Sequence, residues 1–282
     1  MESKTVFKYF ERNAIMIRRL VKKVKNRIFP PKHHEWFRGN YSSWEDALKD
    51  AEGYDSPEIL EKVKNALLKV KNGEAIYERD SYLFDRVEYS WPLLAVLLNT
   101  ALQNQSKLSL IDFGGSLGSS YFQNLTFLNS IENLQWNIVE QQDFVSVGIK
   151  HFQNHQLRFY ETIESVLSIQ NCDLILLSGV IQYLPDPKKM IQSIIDLQIK
   201  NVVFDRTPFW EENLSDHLTV QHTPKTISDS SYPAWFFKKT DFIEHFLKRG
   251  YRLAIEEKSF ERWQVGKDHA QNYFLYFKKN GS

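Results

Sequence analysis

Near the middle of the chain a carboxylate precedes a cluster of glycines, in Asp112-Phe113-Gly114-Gly115-Ser116-Leu117-Gly118. The apolar run Leu108-Ser109-Leu110-Ile111 leads into it, and Ser119-Ser120-Tyr121-Phe122 opens a helical pattern after it. Glycine lets a backbone turn sharply and approach a ligand with no Cβ in between. The carboxyl end of a parallel strand, just before a helix, is where doubly wound sheets bind nucleotides. The spacing is Gly-Gly-x-x-Gly, with Ser119 where a dinucleotide fingerprint would have its third glycine. A tight strand-to-helix turn without a ligand is the plain alternative.

Asp112 narrows the ligand. A carboxylate directly before the turn repels a pyrophosphate, whereas it accepts a hydrogen bond from a water or amine at the cationic methionine end of S-adenosylmethionine. Asp112, Gly114, Gly115, Ser116 and Gly118 are therefore candidate cofactor residues, and a nicotinamide oxidoreductase is disfavoured. The next apolar run, Trp136-Asn137-Ile138-Val139, ends in Glu140 and Gln141. A carboxylate at the tip of the second strand suits the two ribose hydroxyls of a nucleoside. Its distance from Gly114, 26 residues, exceeds the roughly 20 usual for such an acid, consistent with a long first helix. A third apolar run, Asp173–Leu177, delivers Ser178 and Gln182 to the same edge. Asp186-Pro187 after it reads as an N-cap and first helical residue.

Methyl transfer to oxygen or nitrogen needs an in-line acceptor and often a base. The run Asn201–Phe204 brings the charged pair Asp205-Arg206 to the rim, as catalytic candidates or as an ion pair that fixes the following loop. The stretch 207–239 reads as a long loop, and long ordered loops tend to be functional. It holds His217 and His222, either of which titrates in the right range for a base, with His217 preferred. Tyr232 and Trp235 offer rings for stacking on a sugar or base. Arg79, with Asp80 beside it, can enter from the preceding segment, and an arginine there suits a phosphate or carboxylate on the acceptor.

These residues need an α/β frame. Short apolar runs alternating with helical patterns from about residue 106 predict a parallel sheet with crossover helices. Two final strands, Tyr251–Glu257 and Asn272–Phe277, joined by a loop, would add an antiparallel strand to it. Residues 31–105 read as a helical cap. Residues 1–30 form a regular stripe, Phe7, Phe10, Ala14, Ile17, Val21, Val24 and Ile28, with basic residues between and Pro30-Pro31 at its end. The domain reading is thus 1–30 basic amphipathic helix, 31–105 cap and 106–282 cofactor domain.

The formal charge of +1 conceals a net +7 in residues 1–30. That helix can pack on the body of the protein or on a second subunit, or bind an anionic membrane surface; a nucleic-acid role is disfavoured because nothing else is basic. A homo-oligomer remains open. No apolar run reaches the length of a transmembrane helix, and no signal-peptide pattern is present. The single cysteine, Cys172, rules out an internal disulfide and fits a reducing compartment. No Cys/His cluster has zinc spacing, so no metal is expected. A cytoplasmic protein is expected, with peripheral contact at the inner face of the membrane as an option.

The runs Phe37-x-Gly39-x-Tyr41-x-Ser43-Trp44, Tyr77–Ser81, Tyr89–Leu94, Asp112–Gln123, Val139–Gln141, Asp205–Pro208 and Ser231–Trp235 together resemble a family of bacterial methyltransferases associated with surface-polysaccharide gene clusters. The resemblance spans Trp36 to Phe277. It implies a Rossmann-like class I methyltransferase fold, a seven-stranded mostly parallel sheet with an antiparallel terminal strand. It also implies S-adenosylmethionine as cofactor but supplies no substrate; the leading reading, from the turn, Glu140 and the resemblance together, is methylation at oxygen of a sugar or glycan precursor. The alternative is a catalytically idle nucleoside-binding scaffold of a glycan-assembly complex.

Overall fold

A computed structural model of the chain describes residues 35–51, 57–212, 214–223 and 230–281, so the expected basic helix over 1–30 lies outside the described residues. Ahead of the main sheet come β1 (Phe37–Tyr41), α1 (Trp44–Lys49), α2 (Pro57–Lys71), β2 (Tyr77–Arg79), β3 (Tyr82–Phe84) and α3 (Trp91–Gln103). The central part runs β4 (Lys107–Phe113), α4 (Ser119–Leu128), β5 (Asn133–Val139), α5 (Gln142–His151) and β6 (Leu157–Tyr160). It continues with α6 (Ile163–Leu167), β7 (Leu174–Ser178), α7 (Pro187–Asp196) and β8 (Asn201–Trp210). β9 (His217–His222), β10 (Ser231–Phe236), α8 (Lys239–Leu247), β11 (Tyr251–Val265) and β12 (Asp268–Lys279) complete it. Local chemistry sets several starts: Ser43 accepts from the Asp46 amide before α1, and Asp186 accepts from the Lys189 amide before α7, which begins with Pro187.

The main sheet has the order β11-β12-β8-β7-β4-β5-β6. Strands β4 to β8 are parallel, and β12 is antiparallel to both β8 and β11. This is the Rossmann-like class I methyltransferase arrangement expected from the sequence. The chain runs outward from β4 through β5 to β6, then returns to β7 on the other side of β4. That reversal makes the β4/β7 edge the topological switch point, where such sheets open a ligand crevice.

Two apolar layers cover the sheet. On one face Leu110, Trp136, Leu176 and Val203 pack against Val63 and Leu67 of α2 and Leu93 and Leu97 of α3. On the other Ile111, Ile175, Val202 and Phe204 meet Ile191 and Ile194 of α7 and Phe242 and Phe246 of α8. Alternate residues of each strand serve opposite layers. Asp112 therefore lies on the α2/α3 face, in step with Leu110.

Three segments differ from the sequence expectation. The stretch 31–105 holds strands as well as helices: β2 and β3 form a hairpin, and β1 joins a second, three-stranded sheet in the order β1-β9-β10. Its register, Phe37 opposite Gln221, links positions far apart in the chain, and no local periodicity reports such a pairing. The stretch read as a loop from residue 207 instead extends β8 to Trp210 and forms the β9–β10 hairpin. Pro208 lies beyond the end of β7, opposite Asn272 of β12, and its carbonyl accepts from the Phe237 amide. Finally, β11 and β12 are long arms joined at Gly266-Lys267, where Gly266 (φ +59°) supplies the left-handed backbone of a two-residue turn. The polar stretch before Gly266 hid this strand because β11 is at the sheet edge and largely exposed. Among the described residues no helix is long and apolar enough to cross a membrane.

Phe246 is fully buried and stacks on Phe277 at a centroid distance of 4.2 Å. Phe246→Ala should lower unfolding free energy by about 3–5 kcal/mol, measured by urea denaturation, whereas Leu102→Ala, at a position 79% exposed, should change it by less than about 0.5 kcal/mol.

Candidate active site

The carboxyl ends of β5, β4, β7 and β8 stand side by side along one rim. β4 delivers the glycine turn. A Cβ on Gly114 would run into Val180, and one on Gly115 would stand 2.6 Å from Asp112 Cγ. Only glycine fits these two positions without displacing a neighbour. Ser116 (φ +54°) and Gly118 (φ +106°) then carry the backbone through left-handed conformations into α4.

Asp112 lies directly under this turn and is 1% exposed. Its Oδ2 accepts from Trp136 Nε1 at 2.9 Å, while Oδ1 is buried with no hydrogen-bond partner among the described residues. Burial pushes its carboxyl up to about 7, opposed by the Trp136 hydrogen bond and reinforced by nearby Glu140. Glu140 follows β5 immediately. Its Oε2 accepts from the Gln141 amide at 2.9 Å and its Oε1 from the Ser116 amide at 3.1 Å. Burial raises its carboxyl above the usual range, against those two bonds. Gln141 contributes its backbone, its side chain being exposed at the start of α5.

Ser178 and Asp205 are partners in the β7–β8 register, and Ser178 Oγ donates to Asp205 Oδ2 at 3.4 Å. Beyond them β8 bulges. Phe204 pairs with Leu275 and Thr207 with Tyr273, so Asp205 and Arg206 together face Phe274, and Arg206 has φ +53°. Bulges of this kind re-aim side chains beside active sites. The bulge brings the Arg206 guanidinium against Gly179, where a Cβ would lie 3.0 Å from Nη2, and its Nε donates to Ser178 Oγ at 3.4 Å. Burial raises the Asp205 carboxyl, opposed by Arg206 and a Ser90 hydrogen bond. Burial alone would lower the Arg206 guanidinium, but Asp80, Glu261 and Asp205 raise it above its ordinary value.

The cap reaches the same rim through the β2–β3 hairpin. Glu78, 1% exposed, accepts from Ser119 Oγ at 2.6 Å and from the Ser81 amide at 2.7 Å. Burial pushes it up to about 7 against these bonds. Asp80 Oδ2 lies 3.9 Å from Arg206 Nη1. Arg79 pairs with Glu261 of β11 at 3.5 Å and lies over the Phe84 ring.

The structure thus gathers Asp112, the glycine turn, Glu140, Ser178, Asp205 and Arg206 along one rim, with Arg79 at its margin. Gln182 is buried in a 3-10 turn after β7, its Oε1 without a hydrogen-bond partner among the described residues. The remaining candidates lie on β9 and β10, where Trp235 lines a small cavity together with Gln182 and Pro208. His217 packs edge-on against Trp210, at the far end of β8, with rings 5.1 Å apart, and its Nδ1 is buried without a partner among the described residues. His222 ends β9, its amide bonded to the Trp36 carbonyl at 2.7 Å. Trp235 donates to the Leu184 carbonyl at 3.2 Å, and Tyr232 meets Tyr183 edge-on at 5.2 Å. A separate cavity of about 340 Å³, lined by Lys62, Lys69 and Tyr82 among others, contains none of the rim carboxylates. Among the described residues no group of three or more His, Cys, Asp or Glu could hold a metal ion.

Sequence reasoning passed over Glu78, Ser119 and Trp136. The indole of Trp136 left a usable signal: a buried Trp needs an acceptor, and Asp112 lies on the adjacent strand. Glu78 left none, because its partner is 41 residues away in sequence.

No protein-family model matches the sequence, and comparison with curated proteins finds no match. Among solved structures, the chain is similar to magnesium protoporphyrin IX methyltransferase from Synechocystis PCC 6803 with bound S-adenosylmethionine. Identity is 14%, over 85% of this chain and 92% of that one, with a TM-score of 0.43. It is similar to 1,6-didemethyltoxoflavin-N1-methyltransferase of Burkholderia thailandensis, at 12% identity over 81% and 94% of the two chains, TM-score 0.41. The N-terminal domain of EvdMO1, crystallised with S-adenosylhomocysteine and D-fucose, gives 10%, 78%, 97% and 0.46. What the site can do chemically follows from this chain's own residues.

Asp112 and Glu78 have folded-state values near 7, above their ordinary 3.8 and 4.5. Between those limits the native state holds protons that the unfolded chain has released. Their contribution to stability is fully present below about pH 4 and is lost as pH rises through about 7. The ligand-free protein should therefore be less stable at pH 8 than at pH 5, each group costing on the order of a few kcal/mol. Asp112→Asn should flatten this slope while leaving the share from Glu78. Urea midpoints at both pH values measure it, and an unchanged slope in the variant would rule out Asp112 as a source.

Proposed function

We propose that this chain is an S-adenosylmethionine-dependent methyltransferase that methylates oxygen on a sugar or glycan precursor of surface-polysaccharide biosynthesis. The observation that carries the cofactor half is the orphaned Asp112 oxygen beneath a turn that only glycines can form, with Glu140 at the tip of the neighbouring strand. These residues fit a nucleoside with a cationic tail. Glu140 accepts from ribose hydroxyls, the glycine turn admits the ligand close to the backbone, and the Asp112 carboxylate offsets positive charge at the methionine end. When bound, the cofactor supplies an electrophilic methyl group on a sulfonium.

The rest belongs to the protein. Asp205 is a buried carboxylate raised toward neutrality, the direction a general base requires. The Ser178 hydroxyl and the Arg206 amide hold its two oxygens. It takes the proton of the acceptor hydroxyl, and desolvation under the cap keeps water from competing. The polysaccharide role rests on the sequence resemblance. A cytoplasmic location, with contact at the inner face of the membrane through residues 1–30, accompanies it.

Calorimetry with S-adenosylmethionine and S-adenosylhomocysteine tests the cofactor half. Wild type should bind both, and Glu140→Ala should bind roughly 10–100-fold more weakly, as expected when charge-assisted hydrogen bonds are lost. Gly115→Arg should not bind, because its side chain would fill the space over Asp112. Absence of binding by wild type would sink the proposal.

A further inference from the structure

Backbone strain converges on one point of the rim. Among the described residues, seven non-glycine positions have positive φ, and Asp80 (φ +52°), Ser81 (φ +69°) and Arg206 (φ +53°) belong to one small patch. Asp80 and Ser81 form the two-residue loop of the β2–β3 hairpin, between the paired residues Arg79 and Tyr82. Such loops ordinarily carry Asn-Gly or Asp-Gly, since both central residues are left-handed. Arg206 is the left-handed residue of the β8 bulge. Strained positions persist where surrounding structure or function holds them. Here the strain aims an arginine and an aspartate at each other across the crevice.

They do not close the gap. Arg206 Nη1 and Asp80 Oδ2 stand 3.9 Å apart, beyond hydrogen-bond reach. The gap is wider than in the loose pairs Arg79–Glu261 and Arg86–Glu88, at 3.5 and 3.6 Å, and far from the closed ones: Arg262 grips Glu211 with bonds of 2.9 and 2.7 Å, and Lys49 meets Asp46 at 2.8 Å. A guanidinium has five N–H donors. Among the described residues, that of Arg206 spends one, in the 3.4 Å bond from Nε to Ser178. The oxygens of adjacent Asp205 are already taken by Ser178 Oγ and the Arg206 amide. The Arg206 side chain is only 25% exposed, while that of Asp80 is 76% exposed. A mostly buried, planar fork with unspent donors and a loose, solvated counter-ion is poised for an incoming anion.

We infer that Arg206 is the receptor for a carboxylate or phosphate brought into the crevice, and that Asp80 is the counter-ion this group displaces. The arginine fork matches either anion with two parallel hydrogen bonds, which a lysine cannot reproduce. Position along the rim assigns the source. Glu140 extends from β5 and the glycine turn from β4, whereas Arg206 lies beyond β7 on β8, next to Asp205. An acceptor whose hydroxyl meets Asp205 therefore places its anionic substituent on Arg206. Resting on the methyltransferase reading, this defines the substrate class as an acidic sugar or glycosyl phosphate rather than a neutral one. The carboxylate of the cofactor carries the same chemistry, and the test separates the two.

The test is calorimetry on the full chain, wild type, Arg206→Gln, Arg206→Lys and Asp80→Asn. Glucuronate, glucose 1-phosphate and glucose are titrated with and without S-adenosylhomocysteine. S-adenosylhomocysteine is compared with 5′-methylthioadenosine, which lacks the amino-acid end. Wild type should bind at least one of the two anionic sugars and not glucose. Arg206→Gln should lose about tenfold or more in that affinity, one lost charge-assisted pair, and Arg206→Lys should recover only part of it. Asp80→Asn should move the other way and bind the anion severalfold more tightly. Should Arg206→Gln instead weaken S-adenosylhomocysteine and spare 5′-methylthioadenosine, the anion received is the cofactor's carboxylate. Arg206→Gln matching wild type for every ligand overturns the inference. So does Asp80→Asn weakening the anion as much as Arg206→Gln, which would make the pair a structural tie. Arg206→Lys keeps the charge among Asp80, Asp205 and Glu261, so a folding defect confined to Arg206→Gln leaves a usable variant. Failure of S-adenosylhomocysteine to bind wild type sinks the methyltransferase reading alone, because the anion titrations without it still decide the role of Arg206.

Discussion

A carboxylate buried under a backbone turn is an expensive arrangement, and much of this structure exists to tolerate it. Asp112 sits in the middle of a parallel sheet between β5 and β7, with Gly115 above it and the indole of Trp136 beside it. Removing an ionised carboxyl from water costs far more than one hydrogen bond returns, so the group is driven toward its neutral form. Gly115 must be glycine because any side chain would meet this carboxyl. Trp136 must lie on the same face of β5, which fixes the β4–β5 register. The turn, the register and the charge state are thus one coupled constraint.

The same logic runs along the rim. Glu140, Asp205 and Glu78 are all withdrawn from solvent, and each is held by hydrogen bonds to backbone amides or hydroxyls rather than by a closed ion pair. A row of carboxylates raised by burial favours a ligand that brings positive charge, since such a ligand restores their ionised form. Glu78 matters mechanically as well. Its bond to Ser119 ties the cap hairpin to the first residue of α4, directly after the glycine turn.

The second structural decision is made by β8. Once β7 ends, this strand continues beside β12, bulging at Asp205-Arg206 as it does so. Past the bulge it meets the main chain of Phe237, which accepts from Trp210 and donates to Pro208. The bulge is what turns Arg206 toward Gly179 and the crevice. The strand also carries Trp210, and with it His217, away from Asp205.

How much of this was legible in the sequence follows from the range of each interaction. The glycine turn, the Asp112 carboxylate before it and Glu140 after the next strand could be read directly, because a turn, a strand end and a helix start are set within a few neighbouring residues. The alternation of apolar runs and helical patterns likewise determined the parallel sheet and its antiparallel ending. Tertiary structure alone decided what those residues face. The pairing of Phe37 with Gln221, the grip of Glu78 on Ser119 and the approach of Asp80 to Arg206 join remote parts of the chain. Such contacts depend on register and burial, which arise only when the layers pack. That is why the sequence marked a glycine turn and two carboxylates at strand ends, while the packed fold decided that an arginine from a more distant strand stands on the same rim.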